Sequence, residues 1–242
     1  MVEKYAEDAR EDLHRRHSDM EKLKIVSTDF NWFTKLPEYL TWSSSGSAAF
    51  LWYADQPRSG KTTLLQSLVV KLLDRQWCNR DISVAYFFIP ESTLAEKTTS
   101  ESHILLATIL RSIIGQLLDR DHDIITTLKL DKRLEDLLVN HNTILEDLWE
   151  LLRLVIKATP DQEMHIIIDG IDKIEPKAQL EFLEKLLKLW HTLPSKPATV
   201  AKFLIASCQS AEIRDILKGV PLINENIERK RQYFGLLIRS LH

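Results

Sequence analysis

The chain has 242 residues, 44% of them hydrophobic, enough to bury one large domain or a domain with an appendage, which argues against disorder of the whole. Lys and Arg number 32 against 35 Asp and Glu, a formal net charge of -3, so no general field draws the chain to nucleic acid or to an anionic membrane. The N-terminus is charged from Glu3 onward and no apolar run approaches ~20 residues, which points away from a secretory leader or membrane span and makes the cytoplasm the expected compartment.

Residues 2–24 carry Val2, Ala6, Ala9, Leu13, Met20 and Leu23 among many charges, a spacing that predicts a peripheral helix with one narrow apolar stripe. The stretch from Asp29 to Trp42 is aromatic and interrupted by Pro37, and the serines from Ser43 to Ser47 read as the loop that ends it. From Ala49 the run AAFLWYA is too short for a typical helix and predicts a buried strand. The loop DQPRSGK follows, and Leu64, Leu65, Leu68, Val69, Leu72 and Leu73 then fall on one face of a helix over Thr62 to Asp74. A second strand is expected over Ser83 to Ile89, a deeply buried helix over Ile104 to Leu118, and another helix marked by Ile144, Leu148, Leu151, Leu152 and Val155. MHIIID supplies a third strand ending at Asp169, and Leu180, Leu183, Leu187 and Trp190 mark the next helix. AKFLIAS gives a fourth strand, IRDILKG a short helix and VPLI a fifth strand. Buried strands alternating with helices imply α/β architecture, a parallel sheet of about five strands with helices on both faces and every C-terminal strand end on one rim. The expected organisation is a helical extension over residues 1–27 and one domain over residues 28–242. Residues 226–242 look like a helix that stops while still apolar, which suggests a chain truncated at that end.

SGKTT sits between the first strand and the first core helix, where amides left free at a helix start point at phosphate oxygens. Gly60 permits close backbone approach, Lys61 can reach the terminal phosphates, the Thr62 hydroxyl can ligate magnesium and Thr63 can touch the inner phosphate. Pro57, Arg58 and Ser59 complete the loop. A bare GK[ST] arises by chance in roughly one in eight chains of this length, so the strand-loop-helix setting carries the signal. The full motif begins with Gly, and here Asp55 stands first; Asp visits left-handed backbone at modest cost, and Arg58 is placed to offset its charge.

HIIIDGIDK puts Asp169 at the tip of a buried strand on the same rim, where a magnesium ion bridging phosphates needs a carboxylate. Asp172, one short turn on, is the candidate general base orienting an attacking water. Cys78 and Cys208 are far apart and belong to no metal-binding spacing, so both are expected to be small buried hydrophobes. The histidines, among them His103, His165 and His191, also lack ligand spacing and are expected in ordinary surface or core roles.

These residues resemble the NACHT-like signalling NTPases, in particular the nephrocystin-type N-terminal domains of fungal NOD-like receptors and related STAND proteins. LPEYLTWSSSGSAAFLWYADQPRSGKTTLL is similar to their lead-in and Walker A region, SVAYFFI followed by LLATILRSIIGQLL to their second strand and helix, IIIDGIDKIE to their Walker B block, and FLIASCQSAEIRDIL to the block after it. Asp55 and Arg58 stand where two glycines are usual, Lys173 replaces the Glu after the acidic pair, and Cys208 occupies the place of a sensor Arg. The resemblance implies a P-loop NTPase fold of the ASCE type that binds ATP or GTP with Mg2+ as a conformational switch, with hydrolysis weakened by those four departures. It also implies self-association or signalling partner domains. The same departures leave open a degenerate scaffold that makes protein contacts without nucleotide. A small-molecule kinase should show an arginine-bearing lid and an acceptor pocket, and neither is identifiable. Lys173 is in addition a candidate for neutralising Asp169 or Asp172 in place of metal.

Overall fold

A computed structural model describes residues 31–79, 81–90, 99–120, 145–159, 163–193 and 199–224, with the isolated positions 11 and 124. The helices expected over residues 2–24 and 226–242 lie outside the described residues, position 11 apart. In chain order the elements are α1 (Asn31–Thr34), α2 (Pro37–Ser44), β1 (Ala49–Ala54), α3 (Lys61–Cys78), β2 (Ile82–Phe88), α4 (Thr99–Arg120) and α5 (Leu145–Ala158). Then come β3 (Glu163–Asp169), a 3-10 turn (Ile171–Lys173), α6 (Pro176–Thr192), β4 (Val200–Ser207), α7 (Ala211–Ile216) and β5 (Leu222–Asn224).

The strands form one sheet in the order β2-β3-β4-β1-β5, and every neighbouring pair is parallel. The expected five-strand α/β sheet is therefore present, with the interposed strand of an ASCE-type P-loop fold: β4 lies between β1, which feeds the loop before α3, and β3, which carries Asp169. Register aligns Phe88 with Asp169, Asp169 with Ala206, and Ser207 with Ala54, so the C-terminal ends of these four strands share one rim.

Alternation along each strand divides the core in two. Phe50, Trp52, Ile166, Ile168, Phe203 and Ile205 pack against the apolar sides of α4, α5, α6 and α7. Leu51, Tyr53, Ile167 and Leu204 face the other way, against Leu65 and Val69 of α3 and the aromatic lead-in of Phe33, Tyr39 and Trp42. Each such fully buried side chain contributes about 1.5–3 kcal/mol. Pro37 opens α2, where its missing N–H costs nothing, and the helix runs on to Ser44, so the serine loop begins later than its composition suggests. Trp42 anchors that helix by donating Nε1–H to the Phe203 carbonyl at 3.0 Å.

The outer edge of β2 is sealed by two glutamines. Gln76 of α3 accepts from Val84 N at 2.7 Å, while Gln116 of α4 accepts from Tyr86 N at 3.2 Å and donates to Tyr86 O at 2.9 Å. Backbone groups that would otherwise stand open at a sheet edge are thereby satisfied.

At the N-terminal end of the sheet, on the α3 side, three titratable groups cluster beneath α2. The buried Lys202 ammonium donates to the Ser43 carbonyl and, at 2.6 Å, to Glu163 Oε1. His165, also buried, sets Nε2 at 2.8 Å from the same oxygen, without the alignment of a hydrogen bond, and lies edge-on to Trp42. Burial pushes the imidazole below its ordinary pKa, while His165 and Lys202 hold the Glu163 carboxyl down at about 2.

Candidate phosphate and metal site

β1 ends at Ala54 because the chain turns over β4 there: Asp55 N donates to Ser207 O at 3.3 Å. The Asp55 carboxylate, buried, accepts from Gln56 N at 2.7 Å and so stabilises the turn. Left-handed backbone in this loop falls on Arg58 (φ 61) and Gly60 (φ 90), not on Asp55, which corrects the expectation for that position. Arg58 is exposed. A non-glycine residue in this conformation costs roughly 1–2 kcal/mol. Part of that strain is returned by the extra unfolded-state freedom of glycine, so Arg58→Gly is expected to stabilise the fold by about 0.5 kcal/mol in urea titration. An unchanged or lowered midpoint would contradict it.

Gly60 ends the loop as the N-cap of α3. No atom lies within 4 Å of where a Cβ would stand, so it is the backbone angle that requires glycine. No side chain caps this end of the 18-residue helix, which leaves amides and the positive end of its dipole facing the rim. Lys61 folds back over the loop, donating from Nζ to Asp55 O at 2.9 Å and Gln56 O at 2.7 Å, with Cys208 Sγ 3.9 Å away. Thr62 donates from Oγ1 to Asp169 Oδ2 at 2.6 Å, across the width of β4. Thr63 follows in the first turn, its carbonyl accepting from Ser67 Oγ at 3.1 Å.

Asp169 is buried at the end of β3. Burial raises its pKa, opposed by the Thr62 hydrogen bond and then by the charge of Lys173. The chain leaves β3 through Gly170 (φ 82), whose N–H donates to Ala206 O at 3.0 Å. Asp172 stands half-buried on the 3-10 turn, with its carboxylate near the Cys208 thiol. Burial first, and that carboxylate next, push the thiol up to about 11.

Lys61, Thr62, Asp169, Asp172 and Cys208 thus meet on one rim, while Pro57 and Arg58 project into solvent and Ser59 is half-buried. Thr62 Oγ1 and Asp169 Oδ2 are hard oxygen donors at the mouth of an uncapped helix, a pair that suits magnesium. Seating an ion between them requires their direct hydrogen bond to open. Among the described residues no group of three or more His, Cys, Asp and Glu forms a metal cluster, so further ligands would have to be phosphate or water oxygens. Nor is any described helix long and apolar enough to cross a membrane.

The expectation that both cysteines are buried is overturned. Cys78 is exposed as the last residue of α3, past its apolar face, and Cys208 is half-buried because it lies just beyond β4 in the site. Sequence reasoning also missed the loop carbonyls that hold Lys61, the Ile89 carbonyl that accepts from the Lys173 ammonium, and the Glu163–His165–Lys202 cluster. The signal available for the last was a charged or polar residue inside the apolar runs MHIIID and AKFLIAS.

The family model described as nephrocystin 3, N-terminal, matches residues 29–208. No curated protein matches the chain. Among solved structures, a chain of Drosophila ORC bound to poly(dA/dT) DNA and Cdc6 is similar at 7% identity and a TM-score of 0.40, over 93% of this chain and 32% of that one. A chain of the E. coli MS115-1 HORMA:CdnC:Trip13 complex is similar at 12% identity and a TM-score of 0.34, over 94% of this chain and 67% of that one. This chain spans about a third of the ORC chain, and likenesses of this strength say nothing about its activity.

Proposed function

The chain belongs to the nephrocystin 3 N-terminal family, and from that premise we propose that it is a nucleotide-binding switch domain that holds ATP or GTP with Mg2+ and turns it over slowly or not at all. The observation that carries this reading is the 2.6 Å contact between Thr62 and Asp169, which joins an uncapped helix start to a buried carboxylate on one rim. Amides from Ser59 to Thr63 cradle the phosphates, and Lys61 exchanges the Asp55 and Gln56 carbonyls for phosphate oxygens. Thr62 and Asp169 hold the ion, which neutralises phosphate charge when bound. Both residues must separate to admit it, so occupancy is coupled to movement of the loop relative to β3.

Weak hydrolysis follows from the carboxylates available. Asp169 is committed to Thr62 and, when bound, to the ion, and Asp55 to the loop amide, which leaves Asp172. Asp172, half-buried beside the Cys208 thiol, is the one placed to orient water. Switching of this kind suits signal relay through self-association or partner domains, and the exposed thiol of Cys78 suits a reducing cytoplasm.

The self-satisfied loop supports a second reading, a scaffold that keeps the fold without nucleotide, because Lys61 and Thr62 already have protein partners. Thermal unfolding separates the two. Mg-ATP or Mg-GTP at about 100 times Kd should stabilise the wild type by about 2.7 kcal/mol, a rise of several degrees in Tm, and Lys61→Ala should lose that rise. An equal rise in the variant, or none in the wild type, removes the switch.

A further inference from the structure

We propose that Lys173 is a resident cation of the nucleotide site, supplying beside Asp169 part of the positive charge otherwise left to magnesium, so that this chain binds nucleotide phosphates with little dependence on the metal. This rests on the nucleotide-binding reading above and goes beyond it in assigning the charge to a side chain.

The arm of Lys173 is fixed at both ends. Its backbone N–H donates to Gly170 O at 2.9 Å, and its ammonium donates to Ile89 O at 2.8 Å, just past the end of β2. Between those points it lies flat over Gly170: a Cβ there would stand 3.1 Å from Cε, 3.2 Å from Cδ and 3.3 Å from Nζ. Glycine at position 170 thus leaves the space the arm occupies. Ile89 N in turn donates to Asp169 O at 3.0 Å, so the carbonyl that tethers the ammonium belongs to the residue clipped to the acid.

Lys61 is held differently, against carbonyls on the loop side of the rim. Of the charges acting on the Asp169 carboxylate, that of Lys173 is felt more strongly than that of Lys61 or of Asp172. An ammonium has three hydrogens, and the Ile89 carbonyl takes one, which leaves donors for a phosphate oxygen arriving at the rim.

The test is equilibrium titration of fluorescent mant-ATP into the full chain, in saturating magnesium and in EDTA, with circular dichroism to verify folding. The variants are Lys173→Met, Lys173→Arg and Gly170→Ala. The wild type is expected to change its Kd less than about threefold between the two conditions, whereas Lys173→Met weakens more than about tenfold in EDTA alone, the equivalent of 1.4 kcal/mol. Lys173→Arg should keep the wild-type pattern, and Gly170→Ala, which displaces the arm, should resemble Lys173→Met. Strict magnesium dependence of the wild type, or a Lys173→Met variant as indifferent to EDTA as the wild type, overturns the proposal while leaving nucleotide binding intact. Absence of mant-ATP binding in both conditions defeats the nucleotide reading and this proposal with it.

Discussion

Glu163→Ala is expected to lower the unfolding free energy by about 3 kcal/mol, the lower end of the range for breaking a buried pair, because it strands the Lys202 ammonium with only the Ser43 carbonyl. The lower end applies because 31% of the Glu163 side chain is open to water against 2% for Lys202. Adding Lys202→Met should recover most of the loss, since two apolar side chains do not need each other as an isolated charge needs its partner. Urea unfolding of the single and double variants reads both numbers. A single variant within about 0.5 kcal/mol of wild type would mean that water reaches the ammonium.

Acid acts on the same cluster in one direction. Glu163 has a folded pKa of about 2, below its ordinary 4.5, so its contribution is complete above pH 4.5 and is lost as pH falls from there through about 2. His165 is also depressed, so protons bind the unfolded chain first and stability begins to fall once pH drops below the imidazole's ordinary 6.5. Wild-type stability should therefore decline in two stages on acidification. His165→Phe should remove the upper stage and shrink the lower one, since the imidazole helps to hold the Glu163 carboxyl down, and a profile unchanged between pH 7 and 5 in that variant and in wild type alike would count against a neutral buried imidazole.

Gln116→Leu is the second large effect, at about 2–4 kcal/mol. Tyr86 N and Tyr86 O both lose their partner on the outer edge of β2, at about 1–3 kcal/mol for each buried group left unsatisfied, and leucine replaces neither. Gln116→Glu should fall between, because a carboxylate accepts from Tyr86 N but returns nothing to Tyr86 O. Denaturant titration measures the loss, and light scattering above the midpoint should register the newly open strand edge as aggregation. A cost under about 1 kcal/mol would show that solvent reaches the Tyr86 backbone.

The strands of the core were legible because each is a short apolar run between polar breaks, and the ends moved by only a residue or two. β2, for instance, spans Ile82–Phe88, not Ser83 to Ile89. The strand-loop-helix setting of SGKTT was legible by position, since Gly60 and Lys61 sit where a buried strand meets an amphipathic helix. Periodicity does not say which strands are neighbours, so the residues said nothing directly of β4 lying between β1 and β3. It was equally silent on side chains that reach along the chain's third dimension: Lys173 to Ile89, Lys61 to Cys208, Lys202 to Ser43. Asp55 and Arg58 show the limit in another way. Intrinsic tolerance favoured Asp55 for the left-handed turn, but its amide is needed by Ser207, and the turn falls three residues later on Arg58.

Consecutive carbonyls of β4 hold the two sides of the rim, Ala206 gripping the segment after Asp169 and Ser207 gripping the segment before the loop. Neighbouring carbonyls along a strand point to opposite sides, so a single inserted or deleted residue in FLIAS would turn both grips the wrong way at once. The spacing of the two segments is therefore set by the parity of one strand's length, and this tip should tolerate substitution far better than any change in residue count.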